Sequence, residues 1–116
     1  MTTVREEIPP GTLDMLILRT LARSGDELHG FQIAEAIDGT SGGVFVVEEG
    51  SLYPALQRML VQGWISGTWG RTADNRRARY YRVTRAGHRH LERSLQSYAR
   101  VLRAIAAILD LSPAGA

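Results

Sequence analysis

"EEGSLYPALQRMLVQGWISGTWGRTADNRRARYYRVT", residues 48–84, carries two periodicities in one run. Leu52, Leu56, Met59 and Leu60 recur at helical spacing and share one face, and Gly63 supplies the stop. Two helix starts fit. Ser51 can serve as N-cap, which puts Pro54 in the first turn, where a missing N–H costs nothing. Alternatively the helix starts at Tyr53, with Pro54 as its first residue. Either start turns Tyr53, Pro54, Gln57 and Arg58 outward. After Gly63 the period becomes two: "WISGTWG" sets Ile65 and Trp69 on one side, and "ARYYRV" sets Tyr81 and Val83 on one side with Tyr80 and Arg82 on the other. The "TADNRR" between them is longer than a two-residue turn, so the stretch predicts a helix followed by a projecting hairpin.

Working outward, residues 12–24 predict a helix capped by Thr12, with Leu13, Leu16, Ile17 and Leu21 on one face and Met15, Leu18 and Ala22 on another. Two apolar faces on one helix of a small protein imply a partner subunit as well as an internal core. "HGFQIAEAID" predicts a short second helix beginning at His29, with Ile33, Ala34 and Ile37 inward, and "GTSGG" ends it. "VFVV" (Val44–Val47) has the composition of a short strand. Thr84 caps a last helix reaching about Asp110, roughly 39 Å long. Leu91, Leu95, Tyr98, Leu102, Ile105 and Leu109 form a heptad seam along it, flanked by Val101, Ala104 and Ile108. That is more apolar width than one small core covers, so dimerisation through the first and last helices is expected.

The order of elements makes the expected fold mainly α with a small antiparallel β wing: a winged helix-turn-helix plus a long C-terminal dimerisation helix. The expected organisation is a flexible N-terminus over residues 1–10, the winged helix-turn-helix unit over 11–84, the dimerisation helix over 85–110 and a disordered tail over 111–116.

The chain has 116 residues and a net charge of +2, which hides an asymmetry. Residues 1–70 hold four arginines against nine acids, whereas residues 71–103 hold ten arginines against two acids. Arg71, Arg76, Arg77, Arg79 and Arg82 all fall on the hairpin, where like charges repel until a polyanion separates them. There is no cysteine and no lysine, and "AIAAIL" is far too short to span a bilayer; a cytoplasmic protein without membrane contact is expected. No catalytic residues and no cofactor are expected, since no nucleophile elbow or phosphate-binding glycine loop is present. No metal is expected either: His88 and His90 stand two apart, which points them in different directions on a helix.

"GTLDMLILRTL", "LHGFQIAEAI", "EEGSLYPALQRMLVQGWI" and "NRRARYYRVTRAG" together resemble the PadR family of transcriptional regulators, in its compact branch with a single C-terminal helix. The resemblance runs from Gly11 to about Leu109. It implies a homodimer that binds double-stranded DNA at inverted-repeat operators, usually as a repressor, with release in some members by a small aromatic effector bound between subunits. Carried onto this chain, the recognition helix presents Ser51, Tyr53, Pro54, Gln57 and Arg58, and the wing presents Arg71, Asn75, Arg76, Arg77 and Arg79. Leu13, Leu16, Ile17, Leu95, Tyr98, Leu102, Ile105 and Leu109 form the dimer interface, and Met15 with Tyr98 stands at the effector position. Tyr98 occupies a place often held by tryptophan in the family, and Phe31 one often held by tyrosine.

Chemistry agrees with these assignments. Gln57 can pair with adenine through two hydrogen bonds, Pro54 can touch a thymine methyl, Ser51 and Tyr53 can hold phosphates, and a helix N-terminus attracts one. The competing reading, from another class, is a winged-helix dimer that mediates protein–protein contacts without specific DNA binding.

Overall fold

The computed structural model describes residues 4–111. The first three residues of the expected N-terminal segment and residues 112–116 of the expected tail lie outside the described residues. Four helices and three strands follow one another as α1 (Leu13–Ser24), β1 (Leu28–His29), α2 (Gly30–Thr40), α3 (Glu49–Val61), β2 (Ile65–Arg71), β3 (Arg77–Val83) and α4 (Arg85–Ile108).

The core is built where the apolar faces of α1, α2 and α3 meet the base of the hairpin. Ile17 and Leu18 from α1, Ile33 from α2, and Leu56 and Met59 from α3 are fully buried. Each such side chain contributes about 1.5–3 kcal/mol of transfer free energy. Ile65 and Tyr81 close the core from the sheet, and Leu91 closes it from the first turns of α4.

The helix ends obey local chemistry, though not always as the sequence predicts. His29 opens α2 through a capping box: Gln32 N donates to its Nδ1 at 3.4 Å, and His29 N donates to Gln32 Oε1 at 3.0 Å. Thr84 opens α4 by accepting from Gly87 N at 3.0 Å, while its hydroxyl donates to Gly63 O at 2.5 Å. Thr12 stands at the head of α1 but does not cap it: its backbone is helical (φ −103°, ψ −16°) rather than extended as at an N-cap, and its hydroxyl donates backwards to Pro9 O at 2.6 Å. Neither expected start of α3 is correct. The helix begins two residues before Ser51, with Ser51 N and Leu52 N both bonded to Glu48 O. Pro54 therefore lies in the second turn, and Gly50, whose carbonyl loses its i+4 donor, is exposed to water that can replace it.

The sheet differs at its edge. Val44–Val47 forms no strand; the segment runs irregularly, with Val44 O accepting from Glu6 N and Val47 buried in the core. The third strand is β1, which pairs with β3 at Leu28↔Tyr81 and His29↔Tyr80, giving the antiparallel order β1-β3-β2. Composition favoured Val44–Val47, but the edge of β3 nearest α2 is reached first by the chain entering that helix.

Candidate nucleic-acid interface

α3 is amphipathic in the way a groove-reading helix requires. Leu52, Ala55, Leu56 and Met59 are buried, while Ser51, Tyr53, Pro54, Gln57 and Arg58 are exposed. Tyr53 is 48% exposed, and its inner side lies across Gly30 at the start of α2. A Cβ at residue 30 would come within 2.9 Å of the Tyr53 hydroxyl oxygen, so glycine there lets the two helices meet. Arg58, itself exposed, also reaches toward α1, its Nη2 3.0 Å from Asp14 Oδ1. The phosphate expected at the α3 N-terminus meets an obstacle in this chain. Glu48 and Glu49 stand exposed at that end, already complementing the helix dipole and repelling an anion.

β2 and β3 pair along their whole length, from Ile65↔Val83 to Arg71↔Arg77. The tip is a tight turn in which Asn75 N donates to Thr72 O at 2.9 Å and Thr72 N to Arg76 O at 2.8 Å. Asn75 sits in left-handed backbone at φ 64°, a conformation asparagine tolerates better than most residues. Its position thus has a structural cause independent of any ligand. Arg76 is the most exposed of the ion-paired arginines, its Nε 3.4 Å from Asp74 Oδ2 at the turn; such a pair in water holds little. Arg71 donates to Asn75 O at 3.3 Å.

Register places Trp69, Arg71, Arg77 and Arg79 on the same face of the hairpin as Ile65 and Tyr81, with Trp69 directly opposite Arg79. The Arg77 guanidinium carbon is 4.4 Å from the Trp69 ring centroid, and that of Arg79 is 5.8 Å away. Tyr81 is buried at the base of this face, and burial pushes its hydroxyl pKa upward, while the Arg79 charge opposes the rise and Tyr53 adds to it. Arg82 points to the other face, 4.0 Å from Glu27 Oε2, which also accepts from Thr68. Sequence alone does not join Trp69 and Gly67 to Arg79, because the cross-strand register that brings them together is set by the length of the turn.

The residues expected to join two subunits divide into distinct sets. Beyond the buried Leu91, α4 leaves its apolar stripe uncovered: Leu95, Leu102, Ile105 and Leu109 are between 37% and 59% exposed. Ile17 is a correction. It has no exposed surface and belongs to the core of its own chain, because α1 is wrapped by α2, α3 and the sheet on that side. Leu13 and Leu16 are half-buried, and Leu16 lines an apolar groove between α1 and α2 rather than facing α4. Met15 and Tyr98 do come together, across a hollow of about 440 Å³ between α1 and α4. Its floor includes Trp64 and His90, whose rings stack 3.6 Å apart and 10° from parallel.

The family described as "Transcriptional regulator PadR-like family" matches residues 17–93. An uncharacterised protein of Lysinibacillus sphaericus is 30% identical over 98 residues, covering 84% of this chain and 88% of that one. Among solved structures, a PadR-like transcriptional regulator from Bacillus cereus is 28% identical with a TM-score of 0.71, covering 88% of this chain and 95% of its own. A PadR family transcription regulator from Clostridium difficile is 26% identical with the same TM-score, covering 85% and 99%. Bacillus subtilis PadR, solved in complex with operator DNA, shares the fold at 23% identity and a TM-score of 0.64, over 72% of this chain and 46% of that one.

Proposed function

This chain belongs to the PadR-like family of transcriptional regulators, and from that membership we propose that it is a homodimeric repressor of a promoter carrying an inverted-repeat operator. The observation that carries the reading is an α3 whose outer side exposes Tyr53, Pro54 and Gln57, followed directly by a hairpin that carries Arg71, Arg76, Arg77 and Arg79. A helix of this size fits the major groove, about 12 Å wide, and Gln57 supplies the donor–acceptor pair that matches adenine. The wing arginines then take backbone phosphates, which explains why so many cations tolerate one another at its end.

The uncovered stripe on α4 supports the dimer. Two copies related by a two-fold axis place their reading helices about one turn of B-DNA apart, roughly 34 Å. Met15 and Tyr98 border the hollow in which a small aromatic effector is proposed to sit, close to both α1 and the dimerisation helix. Occupation there would act on the spacing of the reading helices and so on release.

Selection of bound duplexes from a random pool tests the reading. A two-fold-symmetric site with half-sites one helical turn apart is expected. Recovery of a pool with no enriched dyad would refute specific recognition and favour a winged-helix dimer that contacts proteins.

A further inference from the structure

Trp69 is 60% exposed on the far half of the wing, where no core exists for it to cover. Three arginines share its face. Arg71 and Arg77 stand directly opposite one another, an arrangement that destabilises a bare hairpin. Arg77 and Arg79 are nonetheless both gathered over the indole, at 4.4 and 5.8 Å from its centroid. Gly67 makes room for this. The Arg79 side chain lies across that glycine so closely that a Cβ there would come within 2.5 Å of Nε. Arg79 Nε is in turn buried with no hydrogen-bond partner among the described residues.

A guanidinium offers two chemically different surfaces. Its flat face is satisfied by an aromatic ring, and its edge carries the N–H donors that fit a phosphate in bidentate fashion. Stacking therefore orients these arginines without consuming their donors, and it removes much of the rotamer freedom that binding would otherwise have to freeze.

We infer that Trp69 is the positioning residue of the wing: its ring, with bare Gly67 beside it, holds Arg77 and Arg79 as an oriented cation pair for the phosphodiester backbone of duplex DNA. This rests on the DNA-binding reading above and adds to it a residue that itself carries no charge. The pair lies on the hairpin face shared with Tyr81, on the strands that directly follow α3 in the chain.

The experiment measures binding of the full chain to a random-sequence duplex over a series of salt concentrations. Wild type, Trp69→Phe, Trp69→Leu and Gly67→Ala are compared, with thermal melts in parallel. Phenylalanine keeps a π face and is expected to bind within about twofold of wild type, whereas leucine, similar in bulk but without the face, loses about fivefold to tenfold. The slope of log K against log salt is expected to flatten by about one per subunit in the leucine variant. Gly67→Ala displaces only the flexible end of Arg79, so it keeps its melting temperature and shows part of the same loss. It decides the matter if Trp69→Leu melts early. Equal losses for phenylalanine and leucine, or a leucine or Gly67→Ala variant that binds with wild-type affinity and slope, overturn the role of Trp69. Wild type that binds no duplex at any salt overturns instead the DNA reading on which this role rests.

Discussion

Gly87 lies against the carbonyl of Trp64, so closely that a side-chain carbon on residue 87 would overlap the Trp64 oxygen and press on Val83. The contact joins the first turn of α4 to the junction between α3 and β2. Thr84 strengthens the same joint, since its N–H donates to Trp64 O at 3.0 Å and its hydroxyl to Gly63 O. The reading helix, the base of the wing and the dimerisation helix thus meet at one backbone crossing. Gly87→Ala is expected to lose about 1–3 kcal/mol, because the obstacle is backbone and cannot move aside as a side chain would. Urea unfolding measures it; wild-type stability in the variant would mean that α4 can lift from Trp64 at no cost.

Gln57 is exposed on α3, one turn along from Tyr53. Gln57→Ala is expected to cost about 1–3 kcal/mol of discrimination at one base pair in each half-site while leaving random-duplex binding nearly unchanged. Comparing affinities for the selected site and for its single-base variants checks this. Uniform weakening across all sequences would instead make Gln57 a phosphate contact.

Arg76 and Arg77 are exposed on the wing, and neither contributes to the core. Replacing both by alanine is expected to leave stability within about 0.5 kcal/mol of wild type. In a dimer the salt slope should shrink by up to about 3.6, at roughly 0.9 for each lost phosphate contact. An operator affinity unaffected by the double substitution would remove the wing from the interface.

Leu102 and Ile105 are each nearly half exposed on α4. Leu102→Glu with Ile105→Arg should leave the winged domain folded, since neither side chain is part of the buried core. Sedimentation should then report a monomer that has lost affinity for the two-half-site operator. A double variant that still sediments as a dimer would move the interface elsewhere.

Tyr81 supplies a pH dependence. Its pKa is raised in the folded chain, chiefly by burial, so the folded state holds this proton more tightly than the unfolded state does. Stability from this group is intact below the ordinary tyrosine range near pH 10 and falls as pH rises through and above it. Denaturation midpoints taken on either side of that range should show the fall, and Tyr81→Phe should diminish it.

Much of this protein is legible in its sequence, because the decisive signals are local. Apolar spacing in α1, α3 and α4 sets their inward faces, Thr84 and His29 cap the helices they open, and the aromatic–arginine alternation of residues 64–83 sets the hairpin and its outward charges. These depend on neighbours within a turn or two, so they survive without knowledge of the fold. What depended on distant parts of the chain did not. Val44–Val47 has strand composition but loses the sheet edge to Leu28–His29, and Ile17 has an interface-like position but is enclosed by its own domain. Arg58 is charged and outward by periodicity, yet it closes on Asp14, 44 residues away in sequence. Trp69 meets Arg77 and Arg79 only once the strands are in register. Competition for a shared edge, enclosure by other elements and cross-strand pairing are long-range contacts, whose partners are chosen when the whole chain packs.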